Sequence, residues 1–354
     1  MDFFKVLLQY ILAIFGLSLI VFVHELGHFI FARISGMYVS DFFIGFGPKL
    51  FKFKSKSGTN YGVNIIPFGG YCRILGMTRS EDIPEDKKDN AFFNKPFFKK
   101  FLTIIGGVGM NAVFTVILIG IFLSMGVFTY VNVVDYIEPG TPAEICGIKE
   151  GDKVIALNDE IIGSWEDFST STKRHPGEKV IYTVVRNGEE IKIEVELENL
   201  NNEGFLGIGP KAIKESMGFI DIVKESFIMT WDIGKSYIKL FGMLFSGQLS
   251  FEEARPVSPI GVISIFQQSA AMGIQNFILF MGLVSLLIAF GNLLPILPVD
   301  GGQLVVITFE AIRRRPISRK VFEIYNTIGI VFIISIFVVA IVFDIIKPFN
   351  LQNM

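Results

Sequence analysis

The sequence predicts a polytopic α-helical membrane protein of about four transmembrane helices, interrupted by a β-rich soluble insert. Two observations carry that expectation. The 354 residues are 51% apolar and 14% aromatic, with a mean hydropathy of +0.53. The charged residues, 19% of the total, gather between apolar blocks instead of spreading evenly, which does not suit a purely soluble domain. A net charge of -2 gives no basis for nucleic acid as a partner. Cys72 and Cys146 are too few for a disulfide framework or a four-cysteine metal site.

The first span runs from about Phe4 to Phe31. It follows an acidic residue (Asp2), has no small-x-small cleavage site, and runs directly into two histidines and a glutamate, so it reads as a retained helix and not a signal peptide. Met37 to Leu75 alternates short apolar runs with the turn signals Gly45-Phe46-Gly47-Pro48, Ser57-Gly58-Thr59-Asn60 and Pro67-Phe68-Gly69-Gly70, which predicts short β-strands. Thr78 to Asn94 is charged and reads as an exposed linker. A second span covers about Phe101 to Phe128.

Thr129 to Pro210 is the soluble insert. Its clearest element is a hairpin in which 179–185 and 190–195 flank Arg186-Asn187-Gly188-Glu189, because Asn-Gly favours a tight primed turn. Ser226 to Phe245 mixes Trp231, Ile233, Tyr237 and Phe241 with Asp232, Lys235 and Lys239, the pattern of an amphipathic interfacial helix, with a fifth span as the alternative. Third and fourth spans follow at about Phe277 to Leu297 and Phe322 to Ile346. The expected organisation is therefore 1–128 (two spans and the β-hairpin loop), 129–211 (insert), 212–275 (amphipathic segment) and 276–354 (two spans). Lysines 49, 52, 54, 56, 87, 88, 99 and 100 follow the first span, and Arg313, Arg314, Arg315, Arg319 and Lys320 follow the third. Both basic loops should face the cytoplasm, which places the termini and the insert outside it.

The chemistry concentrates in Val23-His24-Glu25-Leu26-Gly27-His28. Residues i and i+4 share one helix face, so His24 and His28 can offer ring nitrogens to one metal ion, and Glu25 beside them can take a proton from water. Two of the chain's three histidines lie here, in an apolar segment where ionisable groups are costly and usually functional. The third, His175, precedes Pro176-Gly177 and reads as a surface turn residue. A third ligand is needed, and Asp300 is the candidate. It lies in Asn292-Leu293-Leu294-Pro295-Ile296-Leu297-Pro298-Val299-Asp300-Gly301-Gly302, at the end of the third span and on the same side as the end of the first. The alternative is an Asp300 that only caps the next helix. Asn292 fits equally well as a hydrogen-bond donor to a developing oxyanion or as an interhelical tie.

These motifs resemble the site-2 protease family of intramembrane zinc metalloproteases, in its bacterial regulated-intramembrane-proteolysis branch. The resemblance extends over nearly the whole chain. It rests on His24 to His28, on the Asn292 to Gly301 run, on Phe43-Ile44-Gly45-Phe46-Gly47-Pro48 with Pro67-Phe68-Gly69-Gly70-Tyr71, and on Gly107-x-x-x-Asn111. One departure is that Pro298 stands three residues after Pro295, where the family usually places its second proline two after the first. The resemblance implies Zn2+ held by His24, His28 and Asp300, catalysis by Glu25, and a membrane-associated β-hairpin whose Gly45, Gly47, Gly69 and Gly70 guide an extended substrate. It also implies residence in the bacterial inner membrane, with the active site toward the cytoplasm. Substrates would be single-pass membrane proteins already trimmed by another protease, such as anti-sigma factors, or signal-peptide remnants. The insert is similar to a PDZ domain in Glu138-Pro139-Gly140-Thr141-Pro142-Ala143 and Gly147-Ile148-Lys149-Glu150-Gly151-Asp152-Lys153-Val154. Gly207, in Gly204-Phe205-Leu206-Gly207-Ile208-Gly209, falls where a peptide carboxylate would bind. Peptide-end capture and a purely steric filter remain equal readings of the insert. Two rivals to a protease are a non-cleaving membrane scaffold, which should have lost the glutamate or a ligand, and a zinc transporter. A transporter needs polar groups along several helices, and the other spans offer mainly Asn111, Glu323 and Asn326.

Overall fold

The computed structural model describes residues 3–78, 83–249 and 256–347. Residues 79–82 of the expected linker and 250–255 of the expected amphipathic segment therefore lie outside the described residues. In chain order the elements begin with α1 (Phe3–Ile34), β1 (Val39–Lys54), β2 (Asn60–Ile74) and α2 (Phe97–Ser124). There follow β3 (Val127–Ile137), α3 (Pro142–Cys146), β4 (Lys153–Leu157), β5 (Glu160–Ile161), α4 (Trp165–Lys173), β6 (Lys179–Arg186), β7 (Glu189–Glu196), β8 (Glu198–Leu200), β9 (Glu203–Phe205) and β10 (Ile208–Glu215). The chain then becomes helical again, with α5 (Phe219–Phe245), α6 (Pro259–Ala271), α7 (Ile274–Asn292), α8 (Asp300–Arg313) and α9 (Arg319–Ile346). Its contacts divide it into a helical unit, 1–124 with 218–354, and a β-rich unit, 125–217.

Among the described residues, α1, α2, α7 and α9 are long and apolar enough to cross a membrane. Their outward surfaces agree with that reading. On α9, Ile324, Ile328, Val331 and Val338 are each more than half exposed, a surface suited to lipid and unfavourable in water. Inside the bundle the helices approach closely through small residues: a methyl group at Gly27 of α1 would stand 2.2 Å from the Gly106 carbonyl oxygen of α2. The Thr115 hydroxyl donates to the carbonyl of Gly282, and that of Ser285 donates to the carbonyl of Asn111, which ties α2 to α7. Ala13, Ile20, Leu118, Phe266, Phe277 and Met281 form the apolar core between α1, α2, α6 and α7.

Three features of this unit go beyond the expectations. The third span ends at Asn292 instead of Leu297, and residues 293–299 form a non-helical passage before α8. The segment 212–275 holds two helices. Of these, α5 packs against α2 and α7: Ser226 packs at Gly120, and Tyr237 donates to the Leu283 carbonyl (3.0 Å) and meets the Phe290 ring edge-on. Its Ser226, Thr230 and Gly234, four residues apart, form a narrow face that permits the contact, whereas Phe219, Phe227, Trp231 and Ile238 remain exposed. Third, the end of the expected exposed linker is docked, because Ala91 and Phe92 are buried and Phe92 packs with Met37, Val39 and Ile74.

The region 39–74 forms two long bent strands in place of several short ones. Residues 41–44 of β1 have partners on both sides, 60–63 and 70–73 of β2, while 49–54 pair with the other side of 60–64. Two strands thus build four limbs, with 70–74 as one outer edge. Gly45, Gly47 and Gly69 take positive φ (80°, 87° and 75°) where the strands bend.

The β-rich unit orders its main sheet β10-β3-β4-β6-β7, with β5 beside β4 and a separate β8-β9 pair. Val154, Leu157, Phe168, Val180, Tyr182, Val184 and Val195 fill its core. Asn187 and Gly188 both take positive φ (52° and 87°) between β6 and β7, as the Asn-Gly hairpin requires. The sheet with its two helices is consistent with a PDZ-like insert.

Candidate metal centre

His24 and His28 lie one turn apart on α1, and both are buried. Asp300 joins them from the first residue of α8. The N-cap of that helix is Val299, and no side chain caps it, so Asp300 is not the helix cap that the alternative reading described. Its carboxylate faces the histidines instead: Oδ2 lies 3.1 Å from Nε2 of His24 and 3.2 Å from Nε2 of His28, and the two Nε2 atoms are 3.1 Å apart. The Asp-Gly-Gly sequence serves this placement. A methyl group at Gly301 or Gly302 would stand 2.2–2.3 Å from the backbone of the preceding passage, at Leu294 and Leu297. The Tyr325 hydroxyl of α9 donates to the Pro295 carbonyl and holds the same passage.

A backbone contact sets the tautomer of His28. Its Nδ1 lies 2.9 Å from the Thr103 carbonyl, which can only accept, so Nδ1 carries the proton and Nε2 presents a lone pair. The lone pair of His28 Nε2, the Asp300 carboxylate and His24 Nε2 then converge, and neither Asp300 Oδ2 nor His24 Nδ1 has a hydrogen-bond partner among the described residues. A cation resolves that arrangement. Zinc bonds of about 2.0–2.1 Å in a tetrahedron separate neighbouring ligands by roughly 3.3–3.4 Å, close to the observed triangle of 3.1–3.2 Å. The residues fit zinc.

Around the donors, Glu25 accepts a hydrogen bond from the Cys72 amide through Oε2 (2.8 Å), so its carboxylate reaches the outer limb of the bent sheet. Gly70, opposite Ile44 in that limb, lies against the Glu25 side chain. Gly107 of α2 faces both imidazoles: a methyl group there would meet Nε2 of His28 at 2.5 Å and Cε1 of His24 at 2.8 Å. Asn292 ends α7 partly buried, and among the described residues no side-chain hydrogen bond links it to the cluster. Gly207 lies in the β-rich unit, where its carbonyl accepts from the Glu138 amide and its Cα packs on Thr141. His175 pairs with Glu178 in the turn after α4. Thr103 and the Cys72 amide act through backbone atoms, for which the sequence carries no side-chain signal. In the sequence, Gly107 stands out only within Gly107-x-x-x-Asn111.

Two helix-borne imidazoles, a carboxylate from a second helix and a glutamate beside the first histidine make the donor set of a hydrolytic metal centre in a membrane-spanning bundle. The profile of peptidase family M50 matches residues 12–336, and the chain belongs to this family, the site-2 proteases. It is a zinc metallopeptidase. The zinc metalloprotease RasP of Shouchella clausii is 29% identical over 94% of this chain and 97% of its own length. A protein of Clostridium perfringens with a provisional zinc-metalloprotease name is 31% identical over 96% of this chain and 98% of its own. RasP of Oceanobacillus iheyensis is 27% identical over 91% and 95%.

Proposed function

We propose that the chain is an intramembrane endopeptidase that cuts the transmembrane segments of single-pass membrane proteins, with His24, His28 and Asp300 as zinc ligands. The carrying observation is the 3.1–3.2 Å convergence of those ligands beside a glutamate bonded to a sheet edge. Zinc held there supplies Lewis acidity that polarises the scissile carbonyl and makes water a better nucleophile at neutral pH. Glu25 removes a proton from the attacking water and returns it to the leaving amine. The Cys72 amide steers the Glu25 carboxylate, and Asn292 stabilises the developing oxyanion. Peptide bonds in a helix are shielded by their own hydrogen bonds, so the substrate must unwind. The limb at 70–74, with the bends at Gly45, Gly47 and Gly69, receives the extended segment by β-addition.

In this proposal 1–128 and 276–354 form the catalytic membrane part, 129–211 is a PDZ-like insert just inside the bounds of the compact unit 125–217, and 212–275 is an amphipathic interfacial segment. Gly207 contributes to a peptide-end site in the insert. The protein resides in the bacterial inner membrane, with the insert outside the cytoplasm and the catalytic centre toward it. Its substrates have been trimmed by an earlier protease, as membrane anti-sigma factors or signal-peptide remnants would be.

The test is to reconstitute the purified chain in liposomes with a trimmed single-pass substrate and to map the products by mass spectrometry. Cleavage inside the apolar segment is expected. Cuts confined to the extramembrane flanks, or no cuts by a zinc-loaded protein on a panel of such substrates, would overturn the proposal.

A further inference from the structure

We infer that Asn111 positions His24 in the metal centre, its side-chain carbonyl receiving the Nδ1 proton of that imidazole as the Thr103 carbonyl receives that of His28. Two residues of the helical unit, one on α1 and one on α2, carry buried polar atoms without partners among the described residues. His24 Nδ1 is buried without a hydrogen-bond partner among the described residues, and so are both Oδ1 and Nδ2 of Asn111, a residue with 0% exposure. Leaving such groups unpaired in an apolar interior is unfavourable, so a side-chain rotation that joins them is favoured.

The helix register brings them together. Moving along α2, the Thr103 carbonyl meets His28, Gly106 meets Gly27, and Gly107 meets His28 and His24. Because the two helices run in opposite directions, the next turn of α2 faces α1 at His24 and the turn before it. Asn111 is four residues beyond Gly107 and so lies on that face, roughly 6 Å further along. The His24 atom nearest Gly107 is Cε1, 2.8 Å from where a methyl group would sit, and Cε1 is bonded to Nδ1. Cε1 is equally bonded to Nε2, but Nε2 is turned to Asp300, so Nδ1 is the nitrogen left one bond from the atom that meets α2. The Ser285 hydroxyl donates to the Asn111 backbone carbonyl (3.1 Å) and does not engage its side-chain amide.

A ligating imidazole whose second nitrogen is hydrogen-bonded is fixed in orientation and tautomer and is more basic. With Thr103 serving His28 and Asn111 serving His24, both Nε2 lone pairs are directed at the same point. This rests on the zinc-ligand reading given above.

The experiment measures zinc affinity of the purified full chain by competition with a fluorescent chelator, for wild type, Asn111→Leu, Asn111→Asp and Ser285→Ala. Asn111→Leu should weaken zinc about 10–100-fold. Asn111→Asp, which keeps an acceptor, should stay near wild type, as should Ser285→Ala, which touches only the Asn111 backbone. Zinc binding by Asn111→Leu at wild-type strength, or equal losses in the Leu and Asp variants, would overturn the inference. If the Leu variant does not fold, the cobalt-substituted Asn111→Asp protein decides: a charged acceptor on a ligand imidazole should shift the cobalt absorption bands, and an unshifted spectrum refutes the contact. A wild-type protein that binds no zinc would instead sink the ligand reading itself.

Discussion

The most demanding consequence of the metal centre is that Gly107→Ala should disable it from the neighbouring helix, without touching a ligand. The added methyl would stand 2.5 Å from Nε2 and 2.7 Å from Cε1 of His28, and 2.8 Å from Cε1 of His24. Comfortable contact needs roughly 3.5 Å, so α2 or the imidazoles must yield by close to 1 Å. Retreat of helix α2 would break its hydrogen bonds to α1 at Thr103 and to α7 at Thr115 and Asn111. The imidazoles must turn instead, while zinc tolerates only about 0.2 Å of error in its bonds. Zinc affinity should therefore fall at least 10–100-fold, as when a supporting group of the ligands is lost, and overpacking should cost about 1–3 kcal/mol of stability. Gly109→Ala is the internal control: it lies on the same helix, a methyl there meets nothing within 4 Å, and helix propensity should make it slightly stabilising. Chelator competition and thermal unfolding of the two variants provide the comparison. Wild-type zinc affinity in Gly107→Ala would refute the assigned packing of α2 on the ligands.

In the β-rich unit, buried Asp152 receives two 2.7 Å hydrogen bonds from Arg186 and one from the Lys149 amide. Burial opposes its ionisation, but these donors prevail and hold its carboxyl below the ordinary range. Arg186→Met should destabilise the unit by about 3 kcal/mol by stranding a buried charge, seen as faster hydrogen exchange in β6 and β7 of the full chain; unchanged exchange would count against it. Because the folded-state pKa is lowered, the pair's contribution is complete above the unfolded value of about 3.9 and fades as pH falls through the folded one. Acid sensitivity of the same strands below that range should thus diminish in the variant. Gly188→Ala places a Cβ at φ 87° in the β6–β7 turn and should cost about 1–2 kcal/mol, read from the same exchange experiment. Removing zinc with a chelator should abolish proteolysis, and adding zinc back should restore it; activity that persists in metal-free protein would contradict the assignment.

Features with a local chemical signature were legible in the sequence. The i, i+4 spacing of His24 and His28, the four long apolar runs and the Asn187-Gly188 turn each declare themselves within one element. So did Asp300, because its glycines mark a break at the end of an apolar run. What escaped depends on contacts between distant segments. The charges scattered through α5 read as an interfacial helix, and its packing through Ser226 at Gly120 and Gly234 at Phe290 depends on distant segments. Residues 39–74 showed turn signals at the right places, but whether a glycine ends a strand or bends it is settled by pairing, here on both sides of 41–44. Ala91 and Phe92 looked like part of a charged linker because their partners, Met37, Val39 and Ile74, lie far off in sequence.

The central claim is that Glu25 performs the chemistry while His24, His28 and Asp300 hold the metal. Its most direct test compares wild type with Glu25→Gln for zinc content and for cleavage of one trimmed single-pass substrate. Stoichiometric zinc in both proteins with cleavage by wild type alone is the expected result. Cleavage that survives in Glu25→Gln, or loss of zinc along with activity, would contradict that division of labour.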